Sequence, residues 1–252
     1  MKFSKKKVAI VTGGGSGIGR STALAFARAG VKVLVADTDQ EEGNNTVSLI
    51  RAEEGESRFV SVDVSQNDDV ESMVETAISS WGQLDFAFNN AGIQGDISET
   101  VECSEKNWDR ITGVNLKGVW LCMKHEIAAM RRGNGGVIVN NASNFGLVGS
   151  SGMPAYSASK HGVIGLTKTA AIENAKKSIR INAVCPGPIS TPLVDKIVSR
   201  QPEVLDAITD REPIGRMGQP DEISGAVLWL CSDDASFVIG AVLSIDGGFV
   251  AQ

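Results

Sequence analysis

The chain holds a single tyrosine, Tyr156, with Lys160 four positions after it and Ser143 thirteen before it. A free phenol has a pKa of about 10, so about one in a thousand is ionised at neutral pH. The run AYSASKHGVIGLTKTAA spaces its Ala, Val, Ile and Leu as a helix does, which puts positions 156 and 160 on one face, a turn apart. An ammonium within about 4–6 Å of a phenol favours its ionised form and brings it toward general acid–base work. Ser143 closes the apolar run GGVIVNNAS, where a hydroxyl could hold a reacting oxygen. Tyrosine and lysine four apart recur by chance. Joined to Ser143 and placed behind a dinucleotide-binding turn, they become specific.

A turn of that kind lies at 12–19, TGGGSGIG, between a strand-like run and a helix-like one. Gly13, Gly17 and Gly19 allow the backbone to turn tightly and to approach pyrophosphate oxygens, with Gly15, Ser16 and Ile18 completing the loop. The helix that follows offers N–H donors and a favourable dipole to an anion. The spacing departs from the generic GxGxxG, and a structural turn is the alternative. The next apolar run, VKVLVAD, ends in Asp37, 18 residues after Gly19. A carboxylate there accepts hydrogen bonds from an adenosine ribose diol and repels a 2′-phosphate. Neither position 16 nor position 38 carries a lysine or arginine to welcome one. The expected cofactor is NAD (NADH) rather than NADP, with helix capping as the alternative role at Asp37 or Asp39.

Apolar runs of strand length alternate with amphipathic stretches around these residues. Strands are predicted over 8–13, 31–37, 58–64, 84–92, 135–143, 179–187 and 241–248, and helices over 17–30, 68–82, 105–131, 154–176 and 221–232. Near-continuous Val, Ile and Ala imply strands covered on both faces. With helices between them, a doubly wound α/β fold follows: one domain over 1–252, its seven-stranded parallel sheet flanked by helices. Residues 188–220, punctuated by Pro188, Pro192, Pro202, Pro213 and Pro220, read as a loop-rich insertion and a substrate lid.

Composition removes several function classes. A net charge of −6 argues against a nucleic-acid partner, and Lys5–Lys7 reads as a solvated terminus. No apolar stretch approaches the roughly 20 residues that span a bilayer, so no membrane partner is expected. The four cysteines form no CxxC pair and the two histidines stand alone, so no metal site or disulfide framework is expected, and a reducing cytoplasm suits the chain.

TGGGSGIG, NNAG at 89–92, VN at 114–115, Ser143, YSASK at 156–160, VCPGPIST at 184–191 and the terminal DGG together resemble the short-chain dehydrogenase/reductase family, in order and over nearly the whole chain. The resemblance implies a Rossmann-type domain, a nicotinamide cofactor, metal-free hydride transfer and a homotetramer. It implies Tyr156 as the general acid–base, Lys160 lowering its pKa and holding the nicotinamide ribose, Ser143 on the substrate oxygen, and Asn115 holding a water. Cofactor contacts are implied at Asp63, Val64, Asn90, Ala91, Gly92, Pro186, Gly187, Ile189 and Thr191. Gln94, Phe145, Leu147, Met153 and Leu193 would face a ketone or secondary alcohol of modest size. The competing readings are a sugar or polyol dehydrogenase, a ketoacyl-carrier-protein reductase that prefers NADPH, and an NAD-binding redox scaffold.

Overall fold

The computed structural model describes Phe3, residues 7–191, Val194 and residues 209–252. Strands β1 Val8–Thr12, β2 Lys32–Asp37, β3 Ser57–Ser61, β4 Phe86–Asn89, β5 Gly136–Asn141, β6 Ile179–Pro186 and β7 Val242–Ile245 form one sheet in the order 3-2-1-4-5-6-7. Every pairing is parallel. Helices α1 Gly17–Arg28, α2 Gln40–Ala52 and α7 Pro220–Cys231 pack against alternate residues such as Ala9, Val11, Val33 and Val35. Helices α3 Asn67–Trp81, α5 Val119–Arg132 and α6 Pro154–Asn174 pack where Val8, Ile10 and Leu34 point. Two apolar layers therefore bury both sides of each central strand, which is why those strands read as unbroken apolar runs. On the first layer Phe26 is fully buried and stacks on Phe86 at 5.7 Å.

Three local differences from the sequence reading have physical causes. The expected strand over 58–64 ends at Ser61, so Asp63 and Val64 sit in the loop beyond it. Helix α2 was not anticipated because Gly43, Asn44 and Asn45 are poor helix formers. Tertiary packing overrides them: Asp39 caps the helix by accepting from the Glu42 N–H at 3.0 Å, and Gly43, Thr46, Val47 and Ile50 bury one face. A Cβ on Gly43 would lie 2.1 Å from the Phe59 ring, so the glycine permits the docking.

The single helix expected over 105–131 is interrupted. Helix α4 Glu105–Thr112 gives way to a π-helical turn, Gly113–Gly118, before α5 begins. Such turns recur at functional sites, and this one contains Asn115.

The two ends of the 188–220 segment are joined. Ile189 and Gly218 form a parallel bridge, with Ser190 N–H donating to Gly218 C=O at 2.9 Å and Gly218 N–H to Pro188 C=O at 2.9 Å. Most of the expected lid between them, with Leu193, lies outside the described residues.

Candidate active site

The sheet reverses its strand order between β1 and β4, and ligands of such sheets bind beyond the carboxyl ends at that switch point. A cleft of about 870 Å³ opens there. One end is walled by Gly13, Ser16, Gly17, Ile18, Asp37, Asp63 and Val64, and the middle by Asn90, Ala91, Gly92, Pro186, Gly187, Ile189 and Thr191. Ser143, Tyr156 and Lys160 stand together in the same wall, with Gln94, Phe145 and Met153 toward the other end.

Local bonds fix the glycine turn. Thr12, at the end of β1, accepts from Asn90 N–H at 2.9 Å and Ala91 N–H at 3.1 Å through its hydroxyl. The Asn90 amide donates back to the carbonyls of Thr12 and Gly13 at 3.1 and 3.2 Å and accepts from Asn141 at 2.9 Å. Asp37 accepts from Gly15 N–H at 2.8 Å and from Asp39 N–H at 3.0 Å. Gly19 packs behind the turn: a Cβ on it would lie 2.0 Å from the Gly13 carbonyl oxygen, and Gly13 itself has φ +61°. Gly15 and Gly19 support the cleft wall without lining it. The glycine-lined bay and the outward Asp37 carboxylate fit an adenine dinucleotide.

Around the tyrosine the geometry departs from expectation. Burial pushes the Tyr156 phenol above its ordinary value, opposed by the neighbouring Ser143 hydroxyl, which itself donates to Asn144 Oδ1 at 3.0 Å. Lys160 Nζ lies over the Tyr156 ring, 5.6 Å from its centroid, and donates to the Asn141 carbonyl at 2.8 Å. The net lowering of the phenol expected from Lys160 is not seen, because burial outweighs the opposing influences and leaves Tyr156 above its ordinary value. Burial brings Lys160 itself down to about 8, opposed by the nearby Cys185 thiol.

Asn115 is fully buried behind the cleft, and its side-chain amide bonds Ile93, accepting from the N–H at 2.8 Å and donating to the carbonyl at 2.8 Å. The turn Asn144–Gly146 brings Phe145 into the cleft, while Leu147 is 38% exposed and outside the described wall.

Sequence reasoning missed part of the wall: Ile93 and Ile97 follow β4 and Phe249 arrives from the end of the chain, whereas Val194, Arg211 and Glu212 fall within the 188–220 segment expected to cover the substrate. Phe249 meets Phe145 edge-on at 6.0 Å, and the Arg211 guanidinium lies 5.5 Å from the Phe249 ring. Thr12 and Asn141 were also missed, although their place at strand ends beside Asn90 was a usable signal. Among the described residues no cluster of His, Cys, Asp and Glu suited to a metal is found, and no helix is long and apolar enough to cross a membrane.

Comparisons with known proteins agree with this geometry. A family model described as enoyl-(acyl carrier protein) reductase matches residues 13–250. The cyclohexanol dehydrogenase of Acinetobacter sp. (strain SE19) is 44% identical over 251 residues, covering 100% of this chain and 97% of that protein. The 2,5-dichloro-2,5-cyclohexadiene-1,4-diol dehydrogenase of Sphingobium indicum (strain DSM 16413 / CCM 7287 / MTCC 6362 / UT26 / NBRC 101211 / UT26S) is 40% identical, covering 97% of each chain. The crystal structure of levodione reductase superposes with a TM-score of 0.94 at 36% identity, covering 98% of both chains. With its fold, its ordered motifs and these relatives in agreement, the chain belongs to the short-chain dehydrogenase/reductase family, whose members here are oxidoreductases of alcohols and ketones.

Proposed function

We propose that this protein is an NAD(H)-dependent oxidoreductase that interconverts a secondary alcohol and a ketone on a compact carbocyclic ring. The observation that carries the reading is the convergence of Ser143, Tyr156 and Lys160 in one cleft with the glycine turn and Asp37. When bound, the nicotinamide supplies or accepts the hydride. Tyr156 gives its phenolic proton to the ketone oxygen in reduction and removes the alcohol proton in oxidation. A phenol held above its ordinary value is protonated at neutral pH and so is ready as the acid. Ser143 donates a hydrogen bond to the same substrate oxygen. Lys160, still largely charged at pH 7 with its amine near 8, favours the phenolate left behind.

Asp37 supports NAD over NADP, since its carboxylate lines the cleft where a ribose diol would lie. The substrate end is walled mainly by Ile93, Ile97, Phe145, Met153 and Phe249, with Gln94, Arg211 and Glu212 beside them, a mostly apolar lining that suits a hydrocarbon ring better than a polyol. The cyclohexanol and cyclohexadiene-diol relatives support the same substrate class. We further propose a cytoplasmic homotetramer. Trp108 on α4, Trp120 on α5 and Ile172 on α6 are 42%, 46% and 79% exposed, large apolar side chains that another copy would cover. Sedimentation at micromolar concentration tests this, and a monomer would refute it.

The reaction is tested by following NADH and NADPH consumption with cyclohexanone, substituted cyclohexanones, open-chain ketones and oxidised sugars. Fastest turnover with a cyclic ketone and NADH is expected. A preference for sugars or for NADPH would overturn the substrate or the cofactor assignment respectively.

A further inference from the structure

The glycine turn carries a cation that the NAD reading does not use. Arg20, in the first turns of α1, donates through Nη2 to the Gly15 carbonyl and to the Glu42 carboxylate, and through Nε to Thr46 Oγ1 at 3.0 Å. Gly15 is thus held from both sides, its N–H by Asp37 at 2.8 Å and its C=O by Arg20. The guanidinium consequently lies one residue's breadth from the carboxylate assigned to the ribose. A 2′-phosphate on that ribose would add negative charge close to a cation of the kind that recognises phosphates. Glu42, presented from the first turn of α2, pairs with the cation from its other side.

We propose that Glu42 is a second determinant of cofactor choice: it neutralises Arg20, which would otherwise attract the 2′-phosphate of NADP. The proposal rests on the NAD reading of Asp37 and deepens it. Two carboxylates act differently, Asp37 by repelling the phosphate directly and Glu42 by pairing with Arg20. Arg20 and Glu42 side chains are 24% and 47% exposed, so water screens the pair and its effect is a modest one beside that of Asp37. Replacing Asp37 alone leaves Arg20 paired and the switch incomplete.

The test measures calorimetric affinities for adenosine 2′,5′-bisphosphate and 5′-AMP, two probes that differ by the 2′-phosphate and need no turnover. Glu42→Gln is expected to improve the bisphosphate relative to 5′-AMP by about fivefold, in the wild-type and Asp37→Ser backgrounds alike. Glu42→Asp, which keeps the charge, is expected to gain nothing. Adding Arg20→Gln must abolish the gain, and Arg20→Lys must retain it. An unchanged ratio in Glu42→Gln, or a gain that survives Arg20→Gln, would overturn the proposal. The unmodified protein judges the NAD reading separately: binding the bisphosphate more tightly than 5′-AMP would sink that reading, while the effect of Glu42→Gln on the ratio would still decide the role of Glu42.

Discussion

At the adenosine end of the cleft, polar groups are bonded to one another before any ligand arrives. Thr12 holds Asn90 and Ala91, Asn90 holds Gly13, and Asp37 holds Gly15, all at strand ends of one sheet. At the substrate end the walls are side chains from far-separated segments, among them Ile93, Met153, Arg211 and Phe249, touching mainly through apolar and aromatic contacts. The first end is rigid because its shape is backbone geometry, fixed by the strands. The second depends more on side-chain volume, so it can change with less disturbance of the fold. A family can thus keep one cofactor end and vary the other.

Substitutions at the adenosine end should therefore damage stability and cofactor binding together. Gly19→Ala places a methyl 2.0 Å from the Gly13 carbonyl oxygen. A loss of about 3 kcal/mol in urea unfolding, with NADH affinity down by at least about tenfold, is expected. Thr12→Val removes the acceptor shared by two backbone N–H groups. A loss of about 1–3 kcal/mol is expected by the same measurement. If either variant kept wild-type stability and NADH affinity, the pre-bonded turn would not be what makes this end rigid.

A polar chain beneath both ends sharpens the contrast. Glu126, fully buried, accepts from Asn89 at 3.0 Å; Asn89 also donates to Asn140 at 3.0 Å, and Asn140 to Thr167 of α6 at 2.9 Å. Burial raises Glu126 from 4.5 to about 7. The folded state therefore binds the proton more tightly than the unfolded chain, and stability falls as pH rises from 4.5 toward 7, by at most about 1.4 kcal/mol per pH unit. Glu126→Gln is expected to flatten that slope in thermal melts across the same range. An unchanged slope would mean that folding does not raise the Glu126 carboxyl.

The smallest effect on the fold belongs to the substrate end. Phe145→Ala is expected to raise KM for a cyclic ketone about tenfold while leaving NADH affinity and the unfolding midpoint near the wild type. Loss of NADH binding in this variant would show that the two ends are not separable.

The same contrast explains what the sequence discloses. Strands with both faces covered announce themselves as apolar runs, and the chemistry at their ends, from Gly13 to Thr191, falls at fixed offsets from them. Helix α2 stayed hidden because its stability comes from a cap and a buried face rather than from propensity. Phe249 was illegible because only tertiary folding brings the chain's end against Phe145. The Tyr156–Lys160 spacing was legible, but the burial of the pair was not: it raises the phenol and brings the amine down to about 8.

The most direct measurement is the turnover of NADH with cyclohexanone by Tyr156→Phe beside the unaltered protein, with NADH affinity measured in both. Removal of the proton donor should lower kcat by about 100-fold to 10,000-fold and leave NADH affinity nearly unchanged. Turnover by the phenylalanine variant at the wild-type rate would contradict the account, because the single tyrosine would then not be the acid.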